Sequence, residues 1–230
     1  MKKTLIIMLL LAVQTIALQA QEKVIAFSFD DGPNTTTTVH MLDVLKKHGV
    51  KASFFVIGKN INAESAEVMK RAHREGHDIE NHSLTHSHMA TLTADSIRAE
   101  IAATSALVEK YVGERPQFFR PPYINVSQTM YDNIQLGFIS GASSEDWLPE
   151  VTVDMRVERI VNAARDGMLY LLHDFEGNEQ TVEAIDRAIP ILKERGFRFV
   201  TVRQMFREKG ITPERNLIYT DVCQPVHLIQ

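Results

Sequence analysis

Apolar residues along this chain recur with two different periods, and the switches between them mark the elements. Residues 23–29 (KVIAFSF) are β-branched and aromatic with no helical repeat, which predicts a strand, and Gly32-Pro33 forces a turn just after Asp30-Asp31. Val39, Leu42 and Leu45 share one face of a predicted helix over 35–48, with Gly49 as its stop signal. The alternation continues through strand 51–57, helix 63–75, a short strand 77–81, a helix from the N-cap Thr93 to 111, and strand 117–119 leading into Arg120-Pro121-Pro122-Tyr123. The second half predicts helix 127–136, strand 137–140, a loop carrying Asp146-Trp147, and helix 155–165 capped by Asp154. Strand 168–172 then ends in His173-Asp174, followed by helix 182–195 bent at Pro190, strand 197–200 and helix 202–209. Residues from 210 onward yield no assignable element. About seven strands, each followed by a helix or a long loop, predict one α/β domain with a parallel, barrel-like sheet and helices outside.

The first residues add an address. Lys2 and Lys3 precede an apolar run over 5–13 that extends through Ile16 and Leu18, with small residues at Ala17 and Ala20. This is the layout of a signal peptide, read as residues 1–20 with cleavage after Ala20, and the run is short and interrupted by Gln14, which favours cleavage over a retained anchor. Residues 21–230 then form the domain, expected to be exported as a periplasmic or secreted monomer. Composition changes little: 44% apolar and 23% charged are ordinary globular values. The formal net charge of −4 leaves no footprint for nucleic acid or an anionic membrane. A single cysteine, Cys223, rules out an internal disulfide.

Candidate chemistry gathers where such folds keep it, at the carboxyl ends of strands: Asp30, Asp31, His82, Arg120, Asp146 and His173. His82 and His86 are four apart, a spacing that sets both imidazoles on one side of a helical turn, while His88 reads as a surface bystander. Two histidines and one carboxylate leave an open coordination position, as in catalytic zinc sites, and Asp31 is the natural third ligand. Asp30 is then placed to take a proton from the attacking water, with Arg120 holding it ionised and oriented. His173 suits the acid that protonates the leaving group, with Asp146 fixing its tautomer and favouring its charged form. The backbone N–H and ring of Tyr123 suit a developing oxyanion. Trp147 and Leu171 suit the walls of a small acyl pocket, with plain core packing the competing reading for both.

These residues fall in five ordered motifs: SFDDGP (28–33), HSLTH (82–86), RPPY (120–123), Asp146-Trp147 and Leu171-Leu172-His173. Together they resemble the polysaccharide deacetylases of the NodB-homology type, carbohydrate esterase family 4, across nearly the whole segment after the leader. The resemblance implies a distorted (β/α) barrel and metal-dependent removal of acetyl groups from N- or O-acetylated sugars. It implies Asp30 as base, Asp31, His82 and His86 on the metal, and His173 as acid. The expected ion is Zn2+, with Co2+ among the other divalent ions such a site accepts. The expected substrate is a glycan containing N-acetylglucosamine, such as peptidoglycan or a chitooligosaccharide. Alternatives are an O-acetyl esterase on acetylxylan and a glycan-binding relic without turnover. Ser28 for the usual Thr, Ser143 where an Asp often stands, and Ile124 after RPPY in place of Gly depart from the family pattern. These departures bear on substrate preference rather than on the chemistry.

Overall fold

The computed structural model describes residues 22–224, so the leader read over 1–20 lies outside the described residues. Among the described residues, ten short strands alternate with seven α-helices. The strands are β1 Lys23–Ile25, β2 Ser28–Asp30, β3 Ser53–Val56, β4 Asp78–Asn81, β5 Phe118–Phe119, β6 Gly137–Ile139, β7 Ala142–Ser143, β8 Tyr170–His173, β9 Phe197–Phe199 and β10 Ile218–Tyr219. The helices are α1 Thr37–His48, α2 Ala63–Arg74, α3 Ala94–Val112, α4 Gln128–Asn133, α5 Val153–Ala163, α6 Glu179–Glu194 and α7 Val202–Lys209. Eight strands form one sheet in the order β10-β6-β5-β4-β3-β2-β8-β7, and β1 pairs with β9. Every pairing between these strands is parallel. The expected parallel barrel is thus present as a half-barrel. A parallel bridge between Ala26 and Leu169 carries the β1–β2 run from its partner β9 onto β8.

Strand alternation decides what each face receives. Ile25, Phe27 and Phe29 join Met41, Leu42 and Leu45 of α1 and Ile185, Ile189 and Leu192 of α6 in one buried cluster. The alternate residues Val24 and Ala26 belong instead to a cluster with Phe55, Phe118, Ile139 and Leu169. Ser28 and Asp30 continue that second face to the strand's end, where a cluster of hydrocarbon gives way to a mouth of polar groups. Register then brings the strand ends level: Asp30 lies opposite Phe55 and His173, and Asn81 opposite Val56 and Phe119.

Several element boundaries differ from expectation for local reasons. The helix expected over 127–136 spans only Gln128–Asn133, because Ile134 turns extended (φ −111°, ψ 124°) to bury its side chain and feed β6. The cap of α5 is Thr152, whose side chain accepts from the Met155 N–H, and not Asp154, whose carboxylate pairs with Arg187 at 2.6 Å. Pro190 sits inside α6 without ending it. Two strands were unassigned in the sequence: β7, in the expected loop, and β10, in the segment after 210. Both are two residues long and owe their form to parallel neighbours rather than to their own composition.

At one edge of β4 the sheet holds a buried ionic network. Glu80 accepts from the Gln117 and Phe118 N–H groups at 2.7 and 2.8 Å and pairs with Arg203 at 2.6 Å. Removing one partner of such a buried pair leaves an uncompensated charge and costs roughly 3–5 kcal/mol. Arg203→Ala is therefore expected to lower unfolding stability by about 3 kcal/mol in urea titrations. A change below about 1 kcal/mol would mean the network contributes no more than a surface pair.

Candidate active site

Asp30, Asp31, His82, His86, Tyr123, Trp147, Leu171 and His173 all line one cleft of about 500 Å³, together with Pro121 and Ile124. Arg120 and Asp146 stand fully buried behind it. The structure thus brings every candidate site residue read from the five motifs to this cleft or directly behind it.

The metal candidate is a triangle. Asp31 Oδ1 lies 3.5 Å from His82 Nε2 and 3.6 Å from His86 Nε2. Ligand atoms about 2.1 Å from a shared ion at tetrahedral angles stand about 3.4 Å from one another, so Asp31 sits at coordinating separation from each imidazole, and all three ligand atoms lie within 4.8 Å of one another. Asp31 Oδ1 is buried with no hydrogen-bond donor, an orphaned acceptor of the kind a cation satisfies. His82 Nδ1 lies 2.7 Å from the Arg120 carbonyl, which assigns the proton to Nδ1 and leaves Nε2 free as a ligand. Burial alone would raise the Asp31 carboxyl, but the neighbouring imidazoles, His82 first, outweigh it and hold it below the ordinary value. Burial and the His82 charge push His86 down, favouring the neutral ring that ligation requires. The residues present therefore fit a divalent transition metal. Their juxtaposition is not helical, as the four-residue spacing suggested. Residues 82–88 form an irregular turn in which Ser83 (φ 66°) and His86 (φ 57°) are left-handed.

Asp30 faces the triangle from the side, its Oδ2 3.8 Å from His82 Nε2. Its other oxygen accepts from Arg120 Nη1 at 2.5 Å, and Arg120 Nη2 donates to Ser28 Oγ and the Ser140 carbonyl, each at 2.7 Å. The guanidinium lies 4.3 Å above the Phe55 ring, so it is held on its face as well as at its edges.

Across the cleft, His173 Nδ1 donates to Asp146 Oδ1 at 2.8 Å, and the His173 N–H donates to Asp146 Oδ2 at 2.8 Å. This directs Nε2 toward the cleft. Burial lowers the imidazole, but the Asp146 hydrogen bond and charge, with Asp30 and Asp31 behind them, more than offset it and raise it to about 9. Trp147 meets the His173 ring edge to face at 5.3 Å.

The lip carries exposed aromatics, Tyr123 at 58% and Trp147 at 44%. His88, read as a bystander, stacks on Tyr123 with centroids 4.1 Å apart, and His86 meets the same ring at 4.7 Å. Asp31, Ser83, His86, Tyr123, Ile124 and Glu145 all have φ between 52° and 75° although none is glycine. The first five are cleft residues or adjoin one, and Glu145 precedes Asp146, which stands behind the cleft. Such strain, which for a β-branched residue like Ile124 is pronounced, persists only where packing over-determines it.

The sequence reading missed the buttresses. Thr181 Oγ1 donates to Asp146 Oδ2 at 2.9 Å, Asn178 Nδ2 donates to the His173 carbonyl at 3.1 Å, and the buried Arg156 donates to both Asn178 and Thr181. No short-range spacing links these to Asp146. Asn60 Nδ2 donates to the Asp31 carbonyl at 2.7 Å and steadies that left-handed residue. Asp174 is fully buried and raised to about 7, chiefly by burial. Its place beside His173 at a strand end was the one available signal.

A sequence model of the family described as polysaccharide deacetylase matches residues 17–138, more than half of the chain. The chain is 44% identical over 192 residues to a bifunctional xylanase/deacetylase from Pseudobutyrivibrio xylanivorans, a match over 84% of this chain and 32% of that longer protein. It is 35% identical over 198 residues to a peptidoglycan-N-acetylglucosamine deacetylase from Bacillus cereus, covering 82% of this chain and 90% of the relative. A solved family 4 acetyl xylan esterase from Clostridium thermocellum, in complex with a cobalt ion, superposes with a TM-score of 0.85 at 40% identity, over 88% of this chain and 100% of that one. That protein's cobalt is in keeping with the coordinating triangle found here. Five ordered motifs converging on one cleft, in a fold and sequence shared with these proteins, place the chain in the polysaccharide deacetylase family.

Proposed function

We propose that the protein is a metal-dependent hydrolase that removes acetyl groups from an acetylated polysaccharide. The observation that carries this reading is the opposition, across one cleft, of a carboxylate clamped by Arg120 and an imidazole clamped by Asp146, with the Asp31–His82–His86 triangle between them. A site for binding alone needs neither a base nor an acid. Asp31, His82 and His86 hold the ion, and their N2O donor set suits Zn2+, with Co2+ a close substitute. When bound, the ion acidifies water and polarises the acetyl carbonyl. Asp30 accepts the water's proton at Oδ2, because Arg120 occupies Oδ1. His173 delivers a proton from Nε2 to the departing sugar atom, nitrogen or oxygen. Tyr123 offers its backbone N–H to the oxyanion, while Trp147 and Leu171 enclose the methyl end of the acetyl group. The leader read over 1–20 supports export of a domain over 21–230 that works as a monomer in the periplasm or outside the cell.

The first substrate reading is a glycan containing N-acetylglucosamine, supported by the relative named for peptidoglycan. A second, O-acetylated xylan, is favoured by one observation: the proteins named for xylan are 44% and 40% identical, against 35% for the peptidoglycan enzyme. Acetate release by Zn2+-loaded protein from peptidoglycan, chitooligosaccharides and acetylxylan, each with a chelated control, tests both readings. Chelator-sensitive release from the N-acetyl substrates is expected. Release from acetylxylan alone would move the protein to the esterase reading, and no release from any of them would overturn the proposal.

A further inference from the structure

Asp174 is fully buried next to His173 and takes no part in the scheme above. Its contacts run instead to the turn bearing Asp30 and Asp31. The Asp174 N–H donates to the Asp30 carbonyl at 3.0 Å, its own carbonyl accepts from Asn34 Nδ2 at 2.6 Å, and its Oδ2 accepts from Thr38 Oγ1 at 2.5 Å. The carboxyl also presses on Gly32. A Cβ at Gly32 would stand 2.8 Å from Oδ2 and 3.0 Å from Oδ1, inside van der Waals contact, so the turn lies against the acid as closely as a bare glycine allows. Oδ1 has no hydrogen-bond partner. Asp174 also borders a void of about 10 Å³, shared with Gly32, Thr38, Phe54, Val56 and Met69, which is at the lower limit for one water. A buried carboxyl with an unsatisfied oxygen in mostly apolar surroundings is costly, and a leucine would fill such a space better.

We propose that Asp174 is a positioning residue for the deacetylation: its carboxyl is the spacer that sets Gly32, and with it Asp30 and Asp31, against the strand end that carries His173. The proposal rests on the roles assigned to Asp30, Asp31 and His173 above. Asp174 joins the two halves of the site: it is the chain neighbour of the acid His173, and its N–H and its carboxyl both meet the turn that bears the base and the metal ligand. Its side-chain length therefore governs the gap between base and acid. A misplacement of about 1 Å at a reacting group costs about a hundredfold in rate.

The test separates shape from charge. Asp174→Asn keeps the shape and the acceptor for Thr38, and is expected to retain kcat and Zn2+ affinity within about threefold. Asp174→Glu keeps the carboxyl but adds a methylene against Gly32. It is expected to lose about 30-fold in kcat with KM little changed, and about tenfold in Zn2+ affinity by calorimetry, both read well below its melting temperature. Full activity and Zn2+ affinity in Asp174→Glu, or equal damage in Asp174→Asn, overturns the proposal. Should Asp174→Glu fail to fold, Asp174→Ala decides: losses of about tenfold or more in both quantities support the spacer, and unchanged values overturn it. If the wild type releases no acetate from any glycan, the deacetylase reading fails by itself, and the Zn2+ titrations of the variants still judge Asp174.

Discussion

Asp30→Asn is expected to reduce acetate release by about a thousandfold while Zn2+ affinity stays within a few-fold of the wild type, since a positioned general base contributes roughly 10²–10⁴. The amide preserves the shape of the side chain but cannot take up the proton of the attacking water. Metal is retained because the coordinating triangle is built from Asp31, His82 and His86. Stability falls as well. The buried Arg120 loses its charged partner and keeps Ser28, the Ser140 and Tyr170 carbonyls and the face of Phe55, so a lower melting temperature accompanies the lost turnover. His82→Ala behaves differently: it removes a coordinating nitrogen, and Zn2+ affinity is expected to fall by more than about a hundredfold together with activity. Kinetics and calorimetric metal titration on the same preparations check both. Equal metal loss in the two variants would contradict the division between base and ligand.

Asp146→Asn tests the other wall. Against burial, which lowers it, the hydrogen bond and charge of Asp146 raise the His173 imidazole from an ordinary value of about 6.5 to about 9. A base raised in the folded state stabilises it fully below the unfolded value, and this contribution is lost as pH rises through the folded one. The wild type should therefore lose on the order of 3 kcal/mol of stability between about pH 6.5 and pH 9 from this residue. Asp146→Asn removes the charge and leaves Thr181 bonded to a neutral amide. The His173 titration, followed by NMR, is expected to drop by about two units, and the alkaline limb of the pH–rate profile to move to lower pH with it, because the acid must be protonated to act. A profile and titration unchanged in this variant would remove Asp146 from the tuning of His173.

Four residues in and behind the cleft were legible in the sequence for one physical reason. Asp30 and His173 end strands, while His82 and Arg120 follow them directly, so strand assignment alone gathered them at one end of the sheet. What was not legible depended on contacts across long sequence separations. Thr181 reaches Asp146 from 35 residues away, and Thr38 reaches Asp174 from 136. Neither pairing leaves a periodicity or spacing to read. The cap of α5 offered Thr152 and Asp154 two residues apart, and the choice was made by how the chain enters the helix and by the Arg187 available to Asp154. The histidine pair was recognised by number and spacing, yet the backbone that unites it is a left-handed turn, a conformation that Ser83 and His86 do not advertise.

The position of the first strand has a consequence for synthesis. β2 is flanked by β3 and β8, and β1 pairs with β9, whose last residue is Phe199. β3 follows β2 closely, but a ribosome must make most of the polypeptide before β1 can find β9 and the other side of β2 can find β8, and loop closure over such distances is slow. The amino-terminal run therefore keeps one side unpaired until late in synthesis, and the sheet closes only when nearly all of the described chain is available.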